Sequence, residues 1–258
     1  MIRKLAYVGF IGAFACAFTG TFIAKAADDA LPKAETILDH YVEVTGGKAA
    51  YESRKTEVAT GTVEFAAQGL KGTLTRYAAA PDKSYSIIEL EGIGKMEQGT
   101  VNGMAWDKNP MITPRIKSGV EKAQGIREGM FNGPLNWRKV YAKAETVGVE
   151  NAEGEECYKV TLTPFEGKPE TGFFSKKSGL EIKRIITVAS PMGEMQAEAV
   201  AQDYKDFGGV LQPTKMLQRV AGQELVITIQ SVKINEQLPA DRFDPPAEIQ
   251  ALMKKPAQ

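Results

Sequence analysis

Few residues in this chain are equipped for chemistry: it contains one histidine, His40, and two cysteines, Cys16 and Cys157. A serine or cysteine nucleophile needs a base and a group that orients the base. Any imidazole-based triad would therefore run through His40, and nothing marks a serine as its partner. There is no Gly-x-Ser-x-Gly elbow, phosphate loop or dinucleotide fingerprint; Gly92-Ile-Gly94 lacks the third glycine and the following helix, so it reads as a turn. The carboxylate pairs Glu89/Glu91 and Glu155/Glu156 read as solvated faces. A carboxylate-based hydrolase stays open as the weakest alternative, because glycosidase acids carry no local signature. No catalytic residue, metal ligand set or cofactor is expected.

The elements that would position a site begin after a leader. Met1-Ile-Arg-Lys4 is basic, Leu5 to Ile23 is an apolar run, and Ala24-Lys25-Ala26 is a small-x-small site ahead of Ala27-Asp28-Asp29. This is the pattern of a cleaved signal peptide over 1–26, with a mature N-terminus at Ala27. A retained membrane anchor and a lipidated Cys16 are the alternatives; Phe14 puts a ring where lipoprotein processing favours a small residue. Removing the leader takes Arg3, Lys4 and Lys25 and no acid, so the balance of 32 basic and 32 acidic residues turns net negative by three. A nucleic-acid surface needs the opposite sign. Cys157 is left without an intramolecular partner, so the core must hold the exported chain without a disulfide.

Pro32 to Gly46 has helical period, with Ala34, Ile37, Leu38, Tyr41 and Val44 on one face, Asp39 opposite and His40 on the border. Gly46-Gly47 ends it. Strand-like segments follow at roughly 55–66, 69–79, 83–91, 95–102 and 104–108, then 143–150, 156–164, 169–175, 180–189, 194–204, 210–220 and 223–234. Turn signals such as Pro81-Asp82, Asn102-Gly103, Ser178-Gly179 and Gly208-Gly209 separate them, which describes an antiparallel meander. The stretch from about 110 to 137 interrupts it. There Ser118-Gly-Val-Glu121 reads as a capping box opening a short helix over about 119–128, with Gly125 weakening its middle. Val120, Ile126, Met130 and Phe131 must then dock on the sheet. A long curved sheet with two helices to fill it leaves a cavity, although each apolar residue taken singly reads as core.

Several runs resemble one known family. Asn102-Gly103-Met104-Ala105-Trp106-Asp107-Lys108-Asn109-Pro110 resembles the "DGK-x-x-W-x-Y-x-P" hairpin of the LolA/LolB group of periplasmic lipoprotein carriers. In the family's order come Val160-Thr-Leu-Thr-Pro164, like its "LTP" strand, and Ser178-Gly-Leu-Glu-Ile-Lys183, like its "DGTI" hairpin. Asp203-Tyr204-Lys205 then precedes Phe207-Gly208-Gly209-Val210, and Phe243-Asp-Pro-Pro246 resembles the terminal "F-x-x-P". The chain departs from the pattern around Gly167-Lys168-Pro169 and in the long Gly92 to Gly99 hairpin.

The resemblance implies a mainly β protein with a few helices, an incomplete antiparallel β-barrel of about eleven strands closed by helices. One such domain would span 27–253, followed by a disordered tail over 254–258. It implies a monomeric periplasmic carrier of lipid or lipoprotein acyl chains, without chemistry, meeting inner- or outer-membrane proteins transiently. A sensor or protein-binding module on the same fold is the alternative. The expected cavity wall is Val63, Phe65, Leu74, Ile88, Leu90, Trp106, Leu162, Phe173 and Ile227. Met111, Val120, Met130, Phe131 and Trp137 are expected in and around the lid. Arg76, on the strand face of Leu70 and Leu74, is the candidate charge beside the cavity, against the plainer reading of a strand-end arginine in solvent.

Overall fold

Two meanders of consecutive strands meet at one seam. The computed structural model describes residues 30–190 and 193–254. The first meander runs through β1 (Thr56–Phe65), β2 (Leu70–Ala79), β3 (Lys83–Leu90), β4 (Gly94–Val101), β5 (Met104–Asn109) and β6 (Ile112–Ile116). The second runs through β7 (Tyr141–Ala152), β8 (Glu155–Pro164), β9 (Glu170–Ser175), β10 (Glu181–Ser190), β11 (Gly193–Phe207), β12 (Val210–Val220) and β13 (Gln223–Ile234). Within each meander every strand pairs with its sequence neighbours, and β1 pairs with β13. The result is one antiparallel sheet of 13 strands with β6 and β7 at its open edges. The expectation of about eleven strands is corrected upward. β6 lies inside the stretch read as an interruption, because Ile112-Thr-Pro-Arg-Ile116 carries no clean alternation and a proline, which only an edge strand tolerates.

Five α-helices accompany the sheet among the described residues: α1 (Ala34–Val44), α2 (Gly47–Ser53), α3 (Gly119–Gly129), α4 (Trp137–Val140) and α5 (Ala247–Met253). α1 buries Ala34, Ile37 and Leu38 of the expected face, leaves Tyr41 and Val44 half-buried, and also buries Val42, which the expected face lacked. His40 points outward, its side chain 54% exposed. Gly46-Gly47 ends α1, but α2 starts at once, a short helix whose only buried residue is Tyr51. The leader, Cys16, the cleavage before Ala27 and the tail beyond Lys254 lie outside the described residues.

Alternation along the strands sorts the sheet into two faces. On the inner face α1 packs over β8 and β9, where Ala34, Ile37, Leu38, Trp137, Val160, Leu162 and Phe174 form one buried cluster. The outer face of the first meander is crossed by the C-terminal segment. There the Arg242 guanidinium lies 4.4 Å over the Tyr77 ring, and Glu248 of α5 takes an ion pair from Lys108 at 2.8 Å. Beside them Trp106 meets Tyr85 edge-on at 5.3 Å and lies over Gly99, where a Cβ would stand 2.8 Å from its ring.

Cys157 is fully buried among Ala152 and Phe173, and burial raises its thiol pKa. Melting curves with and without reductant should therefore coincide, and alkylation of the native thiol should be negligible until the protein unfolds. A drop in melting temperature on reduction would reveal an intermolecular disulfide and overturn this.

Candidate functional site

Cross-strand register resolves the inner face of β2, β3 and β4 into rows. Ala78, Ser84 and Thr100 form the first, Arg76, Ser86 and Gln98 the second, and Leu74, Ile88 and Met96 the third. Each step is two residues along the strand, about 7 Å. The third row belongs to an apolar floor, in which Val63, Leu74, Leu90 and Ile227 are buried. Phe65, Ile88, Met96, Met216 and Leu225 pack against them and stay partly exposed.

α3 lies across the first row. A Cβ on Gly129 would stand 2.3 Å from Thr100 Oγ1 and 2.9 Å from Ser84 Oγ, and one on Gly125 would stand 3.0 Å from the Ala105 methyl. Two glycines one turn apart thus let the helix backbone rest on the sheet. Gly125 is a packing position as well as a weak point of the helix. The expected capping box does not form, for Ser118 makes no side-chain cap. Glu121 instead grips Arg115 of β6 with both carboxylate oxygens, one bond being 2.5 Å from Nη1, and Arg115 Nη2 also donates to Asp107 at 2.7 Å. The hydrogen bonds from Arg115 hold the Glu121 carboxyl below the ordinary carboxylate range. Its stabilising contribution is full above that ordinary range and is lost only as the pH falls through the lower folded value.

The other end of α3 is tied to the second meander. Arg127 donates to Glu170 Oε1 of β9 from Nε at 3.0 Å and Nη2 at 2.7 Å, and Gln124 Oε1 accepts from the Ala189 amide of β10 at 3.1 Å. Glu170, with a side chain 7% exposed, also accepts from Tyr141 Oη at 2.8 Å and Arg184 Nη1 at 3.1 Å, while Arg184 Nε donates to Glu181 at 2.7 Å. Burial, opposed by the Arg184 charge, pushes the Tyr141 hydroxyl up to about 12, so it serves as a neutral donor.

Two of the cavities beside α3 each contain more than one of the expected site residues. One of about 230 Å³ lies between α1, α3 and strands β7 to β10, lined by Leu38, Tyr41, Pro134, Trp137, Leu162 and Phe174, with Glu170 and Arg184 at its wall. The other, about 270 Å³, is lined by Arg54, Glu57, Arg76, Met130, Phe131 and Gln212. In it Glu57 is held by Arg54 and by Gln212 Nε2 at 2.9 Å.

The expected site residues divide accordingly. Val63, Phe65, Leu74, Ile88, Leu90 and Ile227 come together in the floor, Trp137 and Leu162 line the first cavity, and Arg76, Met130 and Phe131 line the second. Trp106 and Phe173 are on the outer face. Trp106 alternates with Ala105, which meets α3, and Phe173 alternates with Phe174, which meets α1. Met111 and Val120 are 69% and 43% exposed, at the β5–β6 turn and the start of α3. Glu89, Glu91, Glu155 and Glu156 are all exposed. Sequence reading missed the cluster of Arg127, Tyr141, Glu170, Glu181 and Arg184. One signal was available, since Glu170 shares the period-two face of Gly172 and Phe174, which points a carboxylate inward.

No protein-family model matches the sequence, and no curated protein matches it. Among solved structures the chain is similar to a LolA superfamily protein of Nitrosomonas europaea, with a TM-score of 0.57, 13% identity, and 83% of this chain and 99% of that one covered. It is also similar to a DUF1329 family protein of Desulfovibrio piger, with a TM-score of 0.55, 15% identity, and coverage of 82% and 97%. Likeness at such identity is likeness of fold, and together with an open sheet enclosing helices it gives the conclusion that the fold of this chain is LolA-like.

Proposed function

We propose that the chain is exported to the periplasm and there binds or carries a lipid or lipoprotein acyl chain, in a single domain over 27–253 with α3 as the lid. The observation that carries this reading is the inner floor of Val63, Leu74, Leu90 and Ile227, whose neighbours Phe65, Ile88, Met96 and Met216 remain partly exposed. Apolar surface of that extent on the inside of a fold costs free energy unless something covers it. Each methylene withdrawn from water is worth about 0.8 kcal/mol, so a dozen carbons supply several kcal/mol after ordering costs, enough for reversible loading without covalent attachment. The fold likeness to a LolA superfamily protein supports the same reading.

Stopped-flow mixing with a fluorescent fatty-acid analogue tests it. Saturable binding is expected, with Met130→Ala and Phe131→Ala accelerating both entry and exit while the fold survives. Absence of saturable binding in the parent protein would sink the carrier reading; kinetics indifferent to both variants would sink the lid and spare the cavity. A protein-binding module is the second reading, favoured by the open edge strand β7, where Val147 and Val149 are 53% and 40% exposed. A membrane protein co-purifying at fixed stoichiometry, with no lipid in the extract, would decide for it.

A further inference from the structure

Polarity on the inner face changes at one row of side chains. Arg76, Ser86 and Gln98 are cross-strand neighbours on β2, β3 and β4, and the next row along the same strands is Leu74, Ile88 and Met96. All three members of the first of these rows can donate hydrogen bonds. Among the described residues none of the three side chains has a hydrogen-bond or ion-pair partner. The other described arginines are all engaged: Arg54 by Glu57, Arg115 by Asp107 and Glu121, Arg127 by Glu170, Arg138 by Asp39, Arg184 by Glu170 and Glu181, Arg219 by Glu198 and Glu224, and Arg242 by the Tyr77 ring. Arg76 alone has neither a carboxylate nor an aromatic face.

Its surroundings sharpen the contrast. Arg76 is a partly buried residue, its strand neighbours Ala59 and Ser86 are uncharged, and it lines the cavity of about 270 Å³ together with Arg127, Glu128 and Met130. Two acids share that cavity. Glu57 is consumed by Arg54 and Gln212, and Glu128, exposed on α3, accepts from Gln124 Nε2 at 2.9 Å and forms no ion pair with Arg76. A cation withdrawn from bulk water and left unpaired is costly, and a planar guanidinium matches the two oxygens of a carboxylate or phosphate.

We propose that Arg76, with Ser86 and Gln98, seats an anionic headgroup, and that the ligand is a single-chain amphiphile ending in a carboxylate or a phosphate. Its hydrocarbon runs from that row over Leu74, Ile88 and Met96 toward Val63 and Ile227. The assignment rests on the lipid-binding reading and specifies which end of the lipid lies where.

Competition against a fluorescent probe, with dodecanoate, dodecyl phosphate and dodecanol below their micelle concentrations, tests it. Dodecanoate and dodecyl phosphate should bind at least about tenfold tighter than dodecanol, as expected for charge-assisted hydrogen bonds to an unpaired cation. Arg76→Gln should bring the three within about twofold of one another while leaving dodecanol unchanged. Acetate and inorganic phosphate, which lack a chain, should not displace the probe at the concentrations where dodecanoate does. Equal affinity for acid and alcohol in the parent protein, a preference that survives in a folded Arg76→Gln variant, or displacement by the chainless anions would each overturn the headgroup assignment and leave the carrier reading standing. If none of the three amphiphiles binds, both fall.

Discussion

Replacing Glu170 with leucine should cost about 3–5 kcal/mol, the usual loss when one partner is removed from a buried ion pair and the other is stranded. Arg127 would be stranded here, while Arg184 would keep only the carboxylate of Glu181. Arg127 binds Glu170 Oε1 and Arg184 binds Oε2, with side chains 13% and 27% exposed, and Tyr141 would lose its acceptor as well. For a domain of this length each kcal/mol shifts the melting temperature by about 2–4 °C, so the midpoint should fall by roughly 10 °C. Arg127→Met should separate the anchoring of α3 from the stability of the fold. It leaves Glu170 with Arg184 and Tyr141, so the loss of stability should be smaller, while α3 is freed from β9 and probe exchange quickens. A Glu170→Leu variant melting within about 2 °C of the parent would mean that water already satisfies these groups and that the cluster is no tie.

The second large effect is expected at Gly129. A methyl group there would lie 2.3 Å from Thr100 Oγ1, a distance that no packing tolerates, so Gly129→Ala must lift the end of α3 away from β4. Overpacking of this kind costs about 1–3 kcal/mol, offset only in part by the better helix propensity of alanine. Trimming the obstacle should restore part of the loss. Thr100→Ala removes both Oγ1 and Cγ2, the latter 2.9 Å from the added carbon, so the double variant should be more stable than the sum of the single changes allows. Strict additivity in that cycle, measured by denaturant unfolding, would show that α3 does not rest where the structure puts it. Gly125→Ala is a milder change, because its neighbour at 3.0 Å is the single methyl of Ala105.

Much of the sheet is legible in the sequence because its strands are half-buried and alternate. Val63 with Phe65, and Leu225 with Ile227, announce both the strand and the face. What is not legible follows from the same period. A period of two says which residues share a face but not which face holds the helices, so Trp106 and Phe173, large and apolar, read as cavity wall although the outer face buries them. The helix α3 is half legible. It is visible from Ser118 to Glu121, yet the glutamate is claimed by Arg115 on a strand the sequence hides, and the glycine that seats the helix reads only as a weakness. The tie between Arg127 and Glu170 spans 43 residues and joins two meanders. No local pattern encodes such a contact, since it exists only once the sheet has brought β9 opposite α3.

The seam between β1 and β13 also fixes the order in which the molecule can be assembled. Twelve pairings hold the sheet together, and eleven of them join strands adjacent in sequence, so each can close over a short loop as soon as its second strand is available. The twelfth, running from Glu57 opposite Ile234 to Phe65 opposite Leu225, needs the two ends of the domain. A chain delivered from its N-terminus completes the first meander with β1 as a bare edge, and Val63 cannot meet Ile227 until the last strand has emerged. Long-range closure of this kind is slow. Until then the floor of the site is divided between two half-sheets, and the nascent chain presents both an unpaired strand and the apolar surface that the finished protein turns inward.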